Sequence, residues 1–229
     1  MKAKKLFVTG TDTGVGKTVL SLLLMKYFYS KKLNPFYLKP FQTGCKNPYD
    51  TDSDAQFIYH NIEELNDKDP AESVIYCNKN PKAPWFAARD DKVENNIDLR
   101  KIRKVIEEKS NKFSIVIIEG AGGILVPITK NDLIIDSIND VQVIIASRAG
   151  LGTINHTLLT IEALRTRGIK PVGVIFLDNG ENTPERSMID ENIEAIKSFS
   201  GVNVLGLVEK INNFKIIDNK YYNFFNKIV

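Results

Sequence analysis

The chain alternates short apolar runs with longer stretches whose apolar residues return every three or four positions. The runs KLFVTG (5–10), PFYLKP (35–40), FSIVIIEG (113–120), VQVIIASR (141–148), PVGVIFL (171–177) and VNVLGLV (202–208) read as strands buried on both faces. Between them, the period predicts helices over 17–30, 54–60, 99–110, 155–167 and 185–199, with Leu158, Ile161 and Leu164 along one face. Strand, helix and strand in succession build parallel crossover units. The predicted fold class is therefore α/β, a single domain over 1–229 with a mostly parallel central sheet flanked by helices on both faces. Residues 61–98 are polar, contain Pro70, Pro81 and Pro84, and are predicted as a loop or excursion. The tail 211–229 is rich in Asn, Lys and aromatics, carries no motif and allows a terminal helix.

Charge narrows the function classes. Thirty-one Lys and Arg stand against 28 Asp and Glu, a formal +3, and the basic residues are scattered, so no nucleic acid partner is expected. Four residues between Lys5 and Gly10 are too few for the apolar part of a signal peptide. No apolar run approaches the roughly 18 residues of a membrane span. Cys45 and Cys77 fall in expected loops without C-x-x-C spacing, so free thiols in a cytoplasmic protein are expected.

The chemistry concentrates in VTGTDTGVGKTVLS (8–21). A phosphate cradle needs converging backbone N–H groups, glycine where the chain approaches the anion, a helix N-terminus, a lysine and a Mg²⁺-binding hydroxyl. Gly14, Gly16, Lys17 and Thr18 stand between a predicted strand and a predicted helix, which is that context. A plain strand-turn-helix would account for the glycines but not for Lys-Thr at the helix start. Thr11, Asp12, Thr13, Gly14, Val15, Gly16, Lys17, Thr18 and Val19 are the expected nucleotide-binding set. The opening glycine is displaced: Thr11 holds its usual position and Gly10 comes one residue early.

Three further residues have two readings each. Glu119 closes the apolar strand IVIIEG, where a carboxylate can face the phosphates through Mg²⁺ or serve as a solvated cap. Lys39, in YLKPFQTG, is either a second cation on the same sheet edge or a surface charge. Asp54, in SDA, is either a site carboxylate or, with Ser53, a helix N-cap.

In order, the motifs GTDTGVGKT, KPFQTG, SDA, EGAGG and GLGTINHTLLT resemble the dethiobiotin synthetase family, phosphate-loop NTPase-like enzymes, from Val8 to Asn179. That family's phosphate loop carries the one extra residue seen here. The resemblance implies an ATP-dependent cyclo-ligase of biotin biosynthesis that joins 7,8-diaminononanoate and CO₂ or bicarbonate into dethiobiotin. It implies Lys17, Lys39 and Thr13 as catalytic residues and Thr18, Asp54 and Glu119 as Mg²⁺ contacts. Lys39 would face the γ-phosphate and a carbamate, with Thr13 and Thr43 lining the pocket and Gly122 bringing backbone close to the diamine. Gly150, Leu151, Gly152, Thr153 and Asn155 would grip the substrate carboxylate from a helix N-terminus across a homodimer interface. Asn179 would recognise the base. APWFAA (83–88) resembles a substrate-side loop of the family.

The carbamate is too poor an electrophile for the second amine, and phosphorylating it gives a reactive carbamic–phosphoric anhydride. Alignment and charge neutralisation meet that need better than a protein nucleophile. The chain departs from the family after the last predicted strand, where GLVEKINNFK lacks the Gly-x-Ile-Pro-type segment linked to base recognition. A regulatory ATPase switch of the deviant-loop class is the main alternative. Such proteins place a lysine five positions before the loop lysine, where this chain has Asp12. An amidotransferase would need a glutaminase domain, for which 229 residues leave no room. A nucleotide-binding structural subunit would leave Lys39, Thr43 and GLGTIN without a purpose.

Overall fold

The computed structural model describes residues 3–180, 183–226 and 228. The strands are β1 (Lys4–Gly10), β2 (Pro35–Thr43), β3 (Val74–Asn78), β4 (Ile115–Gly123), β5 (Gln142–Arg148), β6 (Gly173–Leu177) and β7 (Val204–Val208). They form one seven-stranded sheet in the order β3-β2-β4-β1-β5-β6-β7, with every pair parallel. The α-helices are α1 (Lys17–Ser30), α2 (Asp54–His60), α3 (Pro84–Asp90), α4 (Leu99–Ser110), α5 (Thr153–Arg165) and α6 (Arg186–Ser200). No helix among the described residues is long and apolar enough to cross a membrane.

The pleat sorts the core into two layers. Leu6, Val8, Ile115 and Ile117 face α1 and α2, whereas Phe7, Val116, Ile118 and Ile145 face α4, α5 and α6. This is why the strands read as continuous apolar runs. β1 lies between β4 and β5, and the chain leaves it first toward β2 and later toward β5. The loop after β1 therefore opens at the point where the strand order reverses, outside the carboxyl ends of the strands, where ligands bind in sheets of this kind.

The segment 61–98 differs from its loop prediction. It contains β3, which extends the sheet at its edge, and α3, which takes up Pro84 to Ala88 of APWFAA with Ala83 as its N-cap. The apolar residues of β3, Val74 to Cys77, are only partly buried, and the polar and proline-containing residues around them hide so short a run. Cys77 accordingly lies in a strand, with its sulfur 3.4 Å from that of Cys45, and both thiols are free. The tail is also more than an appendage. Asn219–Phe225 is a 3-10 helix, and the rings of Tyr222 and Phe225 meet Tyr27 of α1 edge-on at 5.8 and 5.5 Å. α1 is apolar almost all round because the sheet covers one side and the tail the other, burying Leu22, Leu23, Leu24 and Met25 completely. Helix α5 starts at Thr153, two residues before its predicted start, because Gly152 supplies the left-handed N-cap at φ 88°.

Candidate functional site

The loop after β1 is shaped by two glycines. At Gly10 a side-chain carbon would stand 2.8 Å from the Asp12 carbonyl oxygen and 3.0 Å from Lys17 Nζ, so only glycine fits. Gly16 is the N-cap of α1 at φ 91°, a conformation open to glycine at little cost. The early glycine is therefore the residue over which the loop folds back: Lys17 Nζ donates to the Asp12 carbonyl at 2.9 Å. Thr11 N–H is held by the Ala146 carbonyl of β5 at 3.0 Å. The Thr11 hydroxyl meets Ser147 at 3.2 Å, and Ser147 in turn meets Thr153 at 2.8 Å, tying the loop to the start of α5. Arg148 donates to the Thr13 carbonyl at 3.3 Å, a contact nothing in the local sequence announces.

Next to the loop, four charged or polar side chains from four elements converge. Lys39 Nζ stands 2.7 Å from Asp54 Oδ2, 2.7 Å from Glu119 Oε1 and 3.0 Å from the Gly120 carbonyl oxygen. All three ammonium protons are thereby engaged. Lys39 lies inside β2, not at its end, and is 4% exposed; Glu119 is 1% exposed. The surface-charge reading of the one and the solvated-cap reading of the other are both overturned, because β2 and β4 pair side by side. Asp54 is not the cap of α2. Ser53 Oγ accepts from Gln56 N–H at 3.4 Å in that role, which leaves the Asp54 carboxylate free to turn inward.

Thr18 completes the cluster with a proton shortage. Its hydroxyl stands 2.8 Å from Asp54 Oδ1 and 2.9 Å from Glu119 Oε1, yet one hydroxyl has one proton to donate. Lys39 supplies one further proton to Glu119 Oε1, and the three clustered oxygens still turn lone pairs toward one another, an arrangement that a hard divalent cation fits. Among the described residues, no group of three or more His, Cys, Asp or Glu side chains could hold a metal alone. Such a cation would complete its shell with phosphate oxygens and water, the habit of Mg²⁺.

The charges shift one another. Burial, and then the Lys39 charge, pull the Lys17 ammonium down to about 8, against the opposing pull of Glu119, Asp54 and Asp12. Burial also works against the charge on Lys39, but the Asp54 and Glu119 carboxylates outweigh it and raise that ammonium above the usual lysine range. Asp54 is pushed upward by burial and pulled down further by Lys39 and the Thr18 hydroxyl, so it stays below the ordinary carboxylate range.

Two cavities flank the loop. One, of about 660 Å³, is lined by Thr13, Gly14, Gly16, Lys17, Thr18, Val19, Lys39, Thr43, Asp54, Glu119 and Gly122. The other, of about 580 Å³, is lined by Gly14, Val15, Gly16, Val19, Arg148, Gly150, Leu151, Asn179 and Lys210. Phe214 borders both and packs edge-on against Phe57 of α2 at 5.0 Å. The segment GLGTIN does not reach the cavity that holds Lys39. Gly150 and Leu151 line the second cavity, Gly152, Thr153 and Asn155 line neither, and Leu151 is 94% exposed. Phe214 lies in GLVEKINNFK, where no motif marks it as a cavity residue.

A family profile described as an AAA domain matches residues 4–215. The ATP-dependent dethiobiotin synthetase of Methanococcus vannielii is 36% identical over 215 residues, 92% of this chain and 96% of that protein. The enzyme of the same name from Hydrogenobaculum sp. is 40% identical over 188 residues, 80% of this chain and 79% of that protein. Among solved structures, the Pyrococcus furiosus cell division ATPase MinD is similar at a TM-score of 0.56 and 14% identity, covering 92% of this chain and 84% of that one. Identity that low shows the shared fold alone, whereas the first two matches are of sequence along most of the molecule. The chain belongs to the ATP-dependent dethiobiotin synthetase family.

Proposed function

We propose that this protein carboxylates and closes 7,8-diaminononanoate to dethiobiotin with CO₂ and ATP, in the cytoplasm, with 1–229 acting as one domain and as half of a homodimer. The observation that carries the reading is that two buried lysines, two carboxylates and the loop hydroxyl converge on one cavity of a chain from this family. An amine of the substrate adds to CO₂ and loses a proton, giving a carbamate. A carbamate oxygen attacks the γ-phosphorus of ATP and ADP leaves, giving the carbamic–phosphoric anhydride. The second amine attacks the anhydride carbon, its proton is lost, phosphate departs and the ring is closed.

The phosphoryl-transfer step requires two anions, the carbamate and ATP, to approach, and the chain's cations answer that need. The loop N–H groups of Thr13 to Thr18 and the Lys17 ammonium bind the phosphates. Thr18, Asp54 and Glu119 would hold Mg²⁺, which would supply charge neutralisation for the phosphates. Lys39 orients the carbamate toward the γ-phosphate, for which it must release one of its three present partners. Thr13, Thr43 and Gly122 line the diamine's place in the same cavity. The distance of GLGTIN from Lys39 within one chain supports the dimer reading, in which a second copy's segment from Gly150 to Asn155 holds the substrate carboxylate. Asn179 contacts the base in the neighbouring cavity.

The deciding experiment supplies the protein with 7,8-diaminononanoate, bicarbonate, Mg²⁺ and ATP and follows dethiobiotin by mass spectrometry. Dethiobiotin formed in step with ADP is expected; ATP hydrolysis that ignores the diamine would overturn the reading in favour of a regulatory switch. The same assay with other nucleoside triphosphates reads base selectivity.

The depressed Lys17 ammonium gives a further expectation. Polyphosphate placed against it favours the charged form and raises its pKa. With a value of about 8 in the free protein, nucleotide binding at pH 8 should take up roughly half a proton, and at pH 6.5 almost none. Calorimetric titrations in buffers of different ionisation enthalpy measure that number. Equal uptake at both pH values would contradict the assignment.

A further inference from the structure

Tyr37 stands two residues before Lys39 in β2, so the pleat sends both side chains to one face of the sheet. It is buried, and its hydroxyl donates to Glu119 Oε2 at 2.9 Å. The two oxygens of Glu119 are thereby made unequal. Oε1 meets Lys39 at 2.7 Å and Thr18 at 2.9 Å, while Oε2 is occupied by the phenol. Tyr37 is itself anchored, because its carbonyl accepts from the Ser73 hydroxyl at 2.7 Å and Ser73 shares a hydrogen bond of 2.9 Å with Tyr59. Tyr59 belongs to α2, whose first residue is Asp54.

We propose that Tyr37 is a positioning residue that fixes the Glu119 carboxylate so that Oε1 faces the Thr18 and Asp54 oxygens, where a divalent cation is held. The inference rests on reading Thr18, Asp54 and Glu119 as cation ligands, and not on which substrate is carboxylated. The Glu119 side chain is fully buried, so an oxygen without a donor there carries a real penalty. Without the phenol, the carboxylate meets its second oxygen's need by turning it toward Lys39, the nearest cation. The ammonium then grips both oxygens and competes with the incoming metal. Tyrosine suits the task because it donates a hydrogen bond without adding a positive charge that would repel a cation. This is the outer-shell support that metal-binding carboxylates commonly need.

The test compares wild type with Tyr37→Phe for affinity toward a non-hydrolysable ATP analogue, titrated calorimetrically with and without Mg²⁺. The expected result is a Mg²⁺-free affinity that stays within about twofold, and a Mg²⁺-dependent gain reduced roughly 10- to 100-fold. A merely structural role would lower both affinities together, and that outcome overturns the proposal. So does an unchanged Mg²⁺-dependent gain. Should the single variant fold poorly, Glu119→Gln and the double variant Glu119→Gln/Tyr37→Phe avoid an orphaned buried charge and serve instead. If Tyr37 acts through Glu119, removing its hydroxyl costs nothing further in the Gln background; an equal further loss sinks the idea. Wild type lacking any Mg²⁺-dependent gain would refute the cation reading itself, and this inference with it. None of these measurements contains the diamine, so failure of the ring-closure reading is seen separately.

Discussion

Lys39→Met is expected to lower kcat for dethiobiotin formation on the order of 10²- to 10³-fold while nucleotide affinity changes only a few-fold, as when a single preorganised charge is removed from a developing anion. The split follows from position. Lys17 reaches over the phosphate loop to the Asp12 carbonyl, whereas Lys39 comes from the opposite wall, between Asp54 and Glu119. Steady-state rates beside calorimetric nucleotide affinities check the split. Near-normal kcat would remove Lys39 from the chemistry.

The same variant has a pH signature. Lys39 is raised in the folded state, so its contribution to stability is present below the unfolded lysine value and fades as pH rises through the folded one. Asp54 is lowered, so its contribution is present above the unfolded carboxylate value and is lost as pH falls through the folded one. Both operate between about pH 4 and pH 10 in wild type. Methionine removes the cation and leaves two buried carboxylates without their shared partner. The difference in Tm between wild type and variant should be largest near neutral pH and shrink as the Asp54 carboxylate protonates toward pH 4. A difference independent of pH would show that the pair carries no charge linkage.

Thr18→Val is expected to lower Mg²⁺-dependent turnover by on the order of 10²-fold or more, because it removes the hydroxyl but little volume. The one proton shared between Asp54 and Glu119 disappears with it, and so does an oxygen facing both carboxylates. Turnover measured across Mg²⁺ concentrations should show a half-saturating point shifted far upward. An unchanged Mg²⁺ dependence would take Thr18 out of the cation site.

Contiguity separates what could be read along the chain from what could not. The phosphate loop was legible because its demands are local: the early glycine, the glycine N-cap, Lys17 and Thr18 all fall within nine residues, and each answers a need of its neighbours. The five inner strands were legible because burial on both faces leaves an apolar run, and the edge strand β7 was legible because Val204, Leu205, Leu207 and Val208 make one as well. β3 was not, because its four apolar residues, Val74 to Cys77, are set within a polar segment punctuated by Pro70, Pro81 and Pro84 that reads as loop. The role of the tail was hidden for a related reason: its aromatics make sense only against α1, nearly two hundred positions earlier.

The sequence by itself determined a parallel α/β sheet and a phosphate loop at the end of its first strand, since both follow from periodicity and local backbone needs. The tertiary structure decided the states of the distant side chains. Lys39 became a buried triple donor, Asp54 an inward carboxylate bound to Lys39 and Thr18 behind a Ser53 cap, and Glu119 a residue with two unequal oxygens. The physical reason is the order of the strands. Pairing β2 with β4 brings Lys39 within 2.7 Å of a glutamate 80 positions away, and no local pattern records a partner that only the sheet supplies.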